Sequence, residues 1–196
     1  EAGREVLSLS FPYLDSETGE AIRARLMGSS PIDPYEMAKL YADNRFEQKP
    51  AIVSALARGV FVLTDRWVDS NKTFLPELLE TDAQKLSMTR WIEDMEYRRS
   101  RMPRPDLTIV LAVDSKVARA NMLKRGEASE LDVLEQNTGL QEKVVAAYDA
   151  LCDANPSTYA RTDCVDTRTG NMRDKGVIHA EAWAAVERIW GEIKKP

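Results

Sequence analysis

Two apolar runs set the terms on which this chain can fold. Leu107 to Val113 (LTIVLAV) is the strongest strand signal in the sequence, and Val60 to Leu63 (VFVL) is a shorter run of the same kind between Gly59 and the charged pair Asp65 and Arg66. Continuous β-forming runs of this length, without polar alternation, are how strands covered on both faces read. The longer run ends in Asp114 and leads into a helical stretch from Ser115 to Arg125 that Gly126 stops. Strands that alternate with helices imply right-handed crossovers, hence a parallel β-sheet flanked by helices in an α/β/α arrangement.

The remaining elements fit that plan. Glu5 to Ser10 (EVLSLS) reads as a strand ended by Phe11-Pro12, and Asp15 to Met27 as a helix with Thr18 as its cap and Gly28 as its stop. A helical stretch opens near Pro34 and runs toward Gln48. Pro50 is expected to break or restart it, and Ile52, Val53 and Leu56 carry a second helix to Gly59, which suits a left-handed C-terminal position. Leu86 to Tyr97 is an amphipathic helix ending in the basic run Arg98, Arg99, Arg101 and Arg104, which either complements the helix dipole or binds phosphate. Gln141 to Asp153 is a helix, Ser157 to Val165 a last strand, and Val177 to Ile193 a final helix with Val186, Ile189, Trp190 and Ile193 as its inner stripe. Gly126 to Glu135 is polar, acidic and short of core residues, which is the composition of a flap. The 196 residues suit a single domain.

Composition narrows the function. A formal net charge of −5 argues against broad affinity for nucleic acid or anionic membranes, and no apolar run approaches the ~18 residues a membrane span needs. Cys152 and Cys164 have neither zinc-site spacing nor the density of a disulfide framework, which points to reduced thiols in a cytoplasm. Any Ser-His or Cys-His mechanism would rest on the single histidine, His179, whose alanine-rich helical setting marks it as a surface residue.

The chemistry-bearing residues gather around GVFVLTDRWVDSNKTF, Gly59 to Phe74. In open parallel α/β sheets ligands bind beyond the carboxyl ends of the strands, so Asp65, Arg66, Ser70 and Asn71 are candidate site residues. Tyr41 and Arg45, four apart, share one helix face and set an aromatic plane beside a planar donor fork.

Four stretches in this order and spacing carry a resemblance: LYADNRFE (Leu40 to Glu47), DRWVDSNKTF (Asp65 to Phe74), PRPDLTIVLAVD (Pro103 to Asp114) and KRG (Lys124 to Gly126). The chain resembles the thymidylate kinases, P-loop nucleoside-monophosphate kinases, from its first strand to its last helix. The resemblance implies a P-loop NTPase fold, ATP as phosphate donor, Mg²⁺, and thymidine monophosphate as acceptor. It implies that Tyr41 stacks on thymine while Arg45 hydrogen-bonds the base, stacking being worth ~1–3 kcal/mol. Arg66 would grip the monophosphate, and Asp65 would hold Mg²⁺ or its water shell or orient Arg66. Ser70 and Asn71 match a polar pair near the base, Phe74 the aromatic that crowds the sugar's 2′ carbon, and Phe11 and Pro12 the mouth of the monophosphate pocket. Arg125 matches the arginine that flanks the adenine of ATP, and residues 126–135 match the lid. A homodimer is the family's usual assembly.

This chain departs from the family pattern in several places. Trp67 stands where the family usually has Tyr or His, Tyr13 and Leu14 follow Phe11-Pro12 where an arginine is often near, and Val133 occupies a lid position where some members have a catalytic arginine. No GxxxxGK[ST] occurs among the 196 residues. Phosphoryl transfer of this type needs such a loop to cradle the donor phosphates. The expectation is a truncated family member whose first strand, loop and helix, roughly 30 residues, lie upstream of Glu1. Two other readings stand beside it: a P-loop kinase for another deoxynucleoside or nucleotide, and a catalytically inactive nucleotide-binding module.

Overall fold

The computed structural model describes residues 5–28, 31–124, 134 and 137–193. The chain divides into two compact units, Glu1–Arg104 and Pro105–Pro196. Each has a parallel two-stranded sheet with helices against it, as strand–helix alternation requires.

In the first unit, β1 (Val6–Ser10) pairs with β2 (Phe61–Asp65), Val6 opposite Phe61 and Ser10 opposite Asp65. Between them lie α1 (Glu17–Leu26) and α2 (Pro34–Ala57). The cap of α1 is Ser16, not Thr18: the Ser16 hydroxyl accepts from the Gly19 amide at 3.1 Å. Gly59 takes φ 72, the left-handed value expected after a helix. Beyond β2 come α3 (Val68–Phe74), α4 (Asp82–Glu93) and a π-helical segment, Asp94–Arg99.

Pro50 does not break α2, which runs through it as one helix. Proline removes one ladder bond from a helix interior, but here tertiary anchors flank it. On one side of Pro50, Arg45 is tied to the π-helical segment and Lys49 to Ser100 just beyond it, and Ile52 and Ala55 are buried on the other. β2 also differs from expectation, since it is not covered on both faces and Leu63 is 62% exposed. Both strands of a two-stranded sheet are edges, and the helices here cover one face well. The core under that face is Phe11, Ile52 and Met102, with Leu7, Leu9, Val62, Trp67 and Tyr97 packed on it.

In the second unit, β3 (Thr108–Ala112) pairs with β4 (Tyr159–Asp163), Thr108 opposite Tyr159 and Ala112 opposite Asp163. Leu111 is 56% exposed, so this strand too is covered less than its apolar run suggests. Helices α5 (Ser115–Lys124), α6 (Thr138–Ala154) and α7 (Lys175–Ile193) complete the unit. Asp114 accepts from the Lys116 amide at 2.9 Å and so caps α5, while Val186, Ile189 and Trp190 on α7 are half-buried. Cys152 and Cys164 are buried, unpaired thiols, and burial pushes both above the usual thiol range. His179 is exposed. Among the described residues no helix is long and apolar enough to cross a membrane.

Candidate functional site

The parallel register of β1 and β2 places two sequence-distant segments side by side at the carboxyl end of the sheet. Ser10 lies opposite Asp65, and its hydroxyl donates to the Asp65 carboxylate at 3.1 Å. One residue on, the Phe11 amide donates to the Asp65 carbonyl at 2.9 Å, and the chain turns through a cis Phe11-Pro12 bond. Arg66 follows with φ 63. A non-glycine residue held there costs on the order of 1–3 kcal/mol, and such strain clusters at functional sites. The Arg66 guanidinium sits 6.0 Å from the Phe74 ring centroid, while the Trp67 ring meets Phe11 edge-on at 5.4 Å. Phe11, Pro12, Asp65, Arg66 and Phe74, named separately from sequence, are therefore neighbours at one strand end.

The segment that leaves this strand end is pinned to α2 by Asn44, which the sequence reading took as one of the positions at helical spacing and not as an anchor. Asn44, fully buried, accepts from the Tyr13 amide at 2.7 Å and donates to the Tyr13 carbonyl at 2.9 Å and the Thr18 hydroxyl at 2.9 Å. Gly19 permits the approach: a Cβ there would lie 2.3 Å from the Tyr13 carbonyl oxygen. Asn44 stands inside LYADNRFE, beside Arg45, and its helical spacing from Leu40 and Tyr41 was its only other sequence signal.

Tyr41 is half-buried on α2. Arg45, expected as an open donor fork beside it, is 2% exposed and paired with Glu96, whose carboxylate is fully buried. Glu96 carried no usable signal, because it sits within a charged run (EYRRSR) that reads as solvated surface. On α3, Ser70 is half-buried and Asn71 buried, with the Asn71 amide 3.4 Å from the Ala38 carbonyl of α2. Lys72, also on α3, bridges Asp69 at 3.3 Å and Glu93 at 2.7 Å.

The basic run resolves into local pairs. Arg98 and Arg99 both bind Asp94, and the Arg104 guanidinium lies 3.9 Å from the Tyr97 ring centroid. Burial, and next the Asp69 carboxylate, push the Tyr97 phenol well above the ordinary tyrosine value of 10.0.

Among the described residues no group of three or more His, Cys, Asp or Glu side chains could hold a metal ion. The exposed Asp65 carboxylate has one oxygen taken by Ser10. A single carboxylate fits Mg²⁺, which is bound by one or two carboxylates together with substrate phosphates and water. Arg125 and nearly all of the 126–135 lid lie outside the described residues.

Parallel strands, helical crossovers and an acid–arginine pair at a strand end define a nucleotide-kinase type of α/β fold. The chain matches a solved thymidylate kinase structure from Candida albicans with a TM-score of 0.70 at 17% identity, covering 93% of this chain and 80% of that one. The thymidylate kinase family model matches residues 1–164. Human thymidylate kinase is 25% identical over 195 residues, 99% of this chain and 85% of that protein. A probable thymidylate kinase from Pyrococcus abyssi is 34% identical over 154 residues, 76% of this chain and 68% of that protein. The chain belongs to the thymidylate kinase family.

Proposed function

We propose that this protein is a phosphotransferase that moves the γ-phosphoryl group of ATP to thymidine monophosphate, giving thymidine diphosphate, and that the residues described above form its acceptor side. The observation that carries this reading is the strand-end cluster in which a strained Arg66 follows Asp65 beside Phe11-Pro12, within a chain that belongs to the family.

Each role follows from side-chain chemistry. Arg66 has an always-charged fork suited to two phosphate oxygens at once, and its left-handed backbone sets where that fork begins. Asp65, steadied by Ser10, orients Arg66 and offers the single carboxylate for Mg²⁺. When bound, Mg²⁺ neutralises charge on the phosphates. Tyr41 supplies the stacking plane, Arg45, Ser70 and Asn71 the polar groups toward the base, and Phe74 the wall against the sugar, with Phe11 and Pro12 framing the phosphate end. Arg125 is assigned to the adenine of ATP. The 196 residues contain no GxxxxGK[ST], so no residue is assigned to the donor phosphates. A cytoplasmic homodimer is proposed on the family resemblance, with sedimentation as its check.

Calorimetric titration tests the acceptor reading. Thymidine monophosphate should bind more tightly than uridine or cytidine monophosphate, which reads the base, and more tightly than thymidine, which reads Arg66. Equal affinity across the three nucleotides defeats the base roles. Equal affinity for thymidine and its monophosphate favours a kinase for deoxynucleosides instead.

A further inference from the structure

We propose that Glu96 is a positioning residue that holds Arg45 rigid, and that this rigidity is how the site tells thymine from cytosine; the inference rests on the acceptor reading above. Glu96 is fully buried in the π-helical segment. Its Oε1 accepts from Arg45 Nε at 3.0 Å and also from Nη2, while Oε2 is buried and has no hydrogen-bond partner among the described residues. A buried, doubly hydrogen-bonded charge pair is costly to break, so Arg45 stays where Glu96 places it.

A second tie lies one helical turn along α2. Lys49 Nζ donates to the Ser100 carbonyl at 2.6 Å. Two residues four apart on α2 thus grip two residues four apart beyond α4. The gripped segment is irregular: it is a π-helical turn, its Met102 amide returns to the Glu96 carbonyl at 3.0 Å, and Arg101 takes φ 49. π-Helical turns within helices are frequent at functional sites.

Glu96 takes Nε and Nη2, and Nη1 stays outside the pair. A guanidinium can only donate. Thymine presents an acceptor, O4, where cytosine presents an amino donor. A fork that cannot swing away donates to the first and repels the second, whereas a mobile arginine would turn aside and tolerate both. The thymine methyl group plays no part in this contact.

Affinities of wild type and Glu96→Gln for the deoxynucleoside monophosphates of thymine, uracil and cytosine, measured by calorimetry, test the inference. The expected result is a fall of about tenfold or more in the thymine-to-cytosine affinity ratio, with the thymine-to-uracil ratio unchanged. A merely structural role would weaken all three together and leave both ratios in place, which overturns the inference. Wild type that does not separate thymine from cytosine overturns the acceptor reading itself, and the inference with it. If Glu96→Gln does not fold, Arg45→Met is compared with Arg45→Met/Glu96→Met. Thymine-to-cytosine ratios that fall equally below that of wild type support action through Arg45, whereas a ratio unchanged from wild type or a further loss in the double variant overturns it.

Discussion

The two units are built on the same motif and use it differently. Each has a parallel pair of five-residue strands in unbroken register, yet their polar groups are disposed in opposite ways. Among the described residues of the first unit, Asn44, Arg45, Asp69, Asn71, Thr73 and Glu96 are buried; in the second, only Thr162 is. The second unit keeps its charges outside, where Arg161 pairs with Asp149 at 2.8 Å and with Asp163 at 2.6 Å, both partners roughly half exposed. Buried polar groups are expensive unless satisfied, and when satisfied they hold side chains in one arrangement. The same sheet geometry therefore serves as a preorganised frame in one unit and as a plain α/β layer in the other.

The contrast is broken most severely at Glu96. Glu96→Gln leaves Arg45 charged and buried beside a neutral partner, and should lower unfolding stability by about 3–5 kcal/mol. Arg45→Met/Glu96→Met, which removes both charges, should recover most of that loss in denaturant titrations, because apolar replacement of a buried pair is often near neutral. Next in size is Arg66→Ala. Losing a charged fork on phosphate should weaken thymidine monophosphate binding by about 30- to 100-fold while thymidine binding hardly changes. Arg66→Gly should lose the same binding yet be the more stable variant, since glycine adopts φ 63 without strain.

Asn44→Ala strands the backbone groups of Tyr13, and should cost about 1–3 kcal/mol by the midpoint shift in urea. Its counterpart in the second unit is Arg161→Met, which should cost under about 1 kcal/mol, because exposed pairs contribute little. If the two variants cost the same, the distinction between the units fails.

The gentlest test is a slope. Tyr97 titrates higher when folded than when unfolded, so between the ordinary tyrosine value of 10.0 and its folded value the unfolded chain has lost a proton that the native chain keeps. Stability contributed this way is complete below 10.0 and is lost as pH rises through the folded value. Tyr97→Phe should flatten that alkaline limb. Cys152 and Cys164, raised by burial from an ordinary 9.0, should impose a separate decline at lower pH, removed by Cys→Ala substitutions and untouched by Tyr97→Phe.

Much of the architecture was legible because it depends on local chemistry. The run LTIVLAV named β3, Gly59 named the left-handed stop of α2, and alternation named the parallel pairing. Pro50 misled because a helix interior tolerates proline once Arg45, Lys49, Ile52 and Ala55 are anchored by other elements. VFVL misled in degree: apolar content reports what a strand can bury, not what covers Leu63. Thr18 lost the cap to Ser16, two residues away, because the loop held by Asn44 placed the Ser16 hydroxyl at the Gly19 amide.

What the sequence determined by itself was the inventory: which segments are strands and most of the helices, and which residues have side chains suited to the proposed phosphate, stacking and base contacts. The family motif supplied Tyr41, Arg45, Asp65 and Arg66 as a set, and the fold bears out the parallel α/β plan behind them. Only the tertiary structure decided how those residues are held. Arg45 and Glu96 are 51 positions apart, and Asn44 reaches a loop 31 positions away. No local periodicity records such pairings. They exist because burial removes water as a partner, so each polar group must find another from whatever element the fold brings near it.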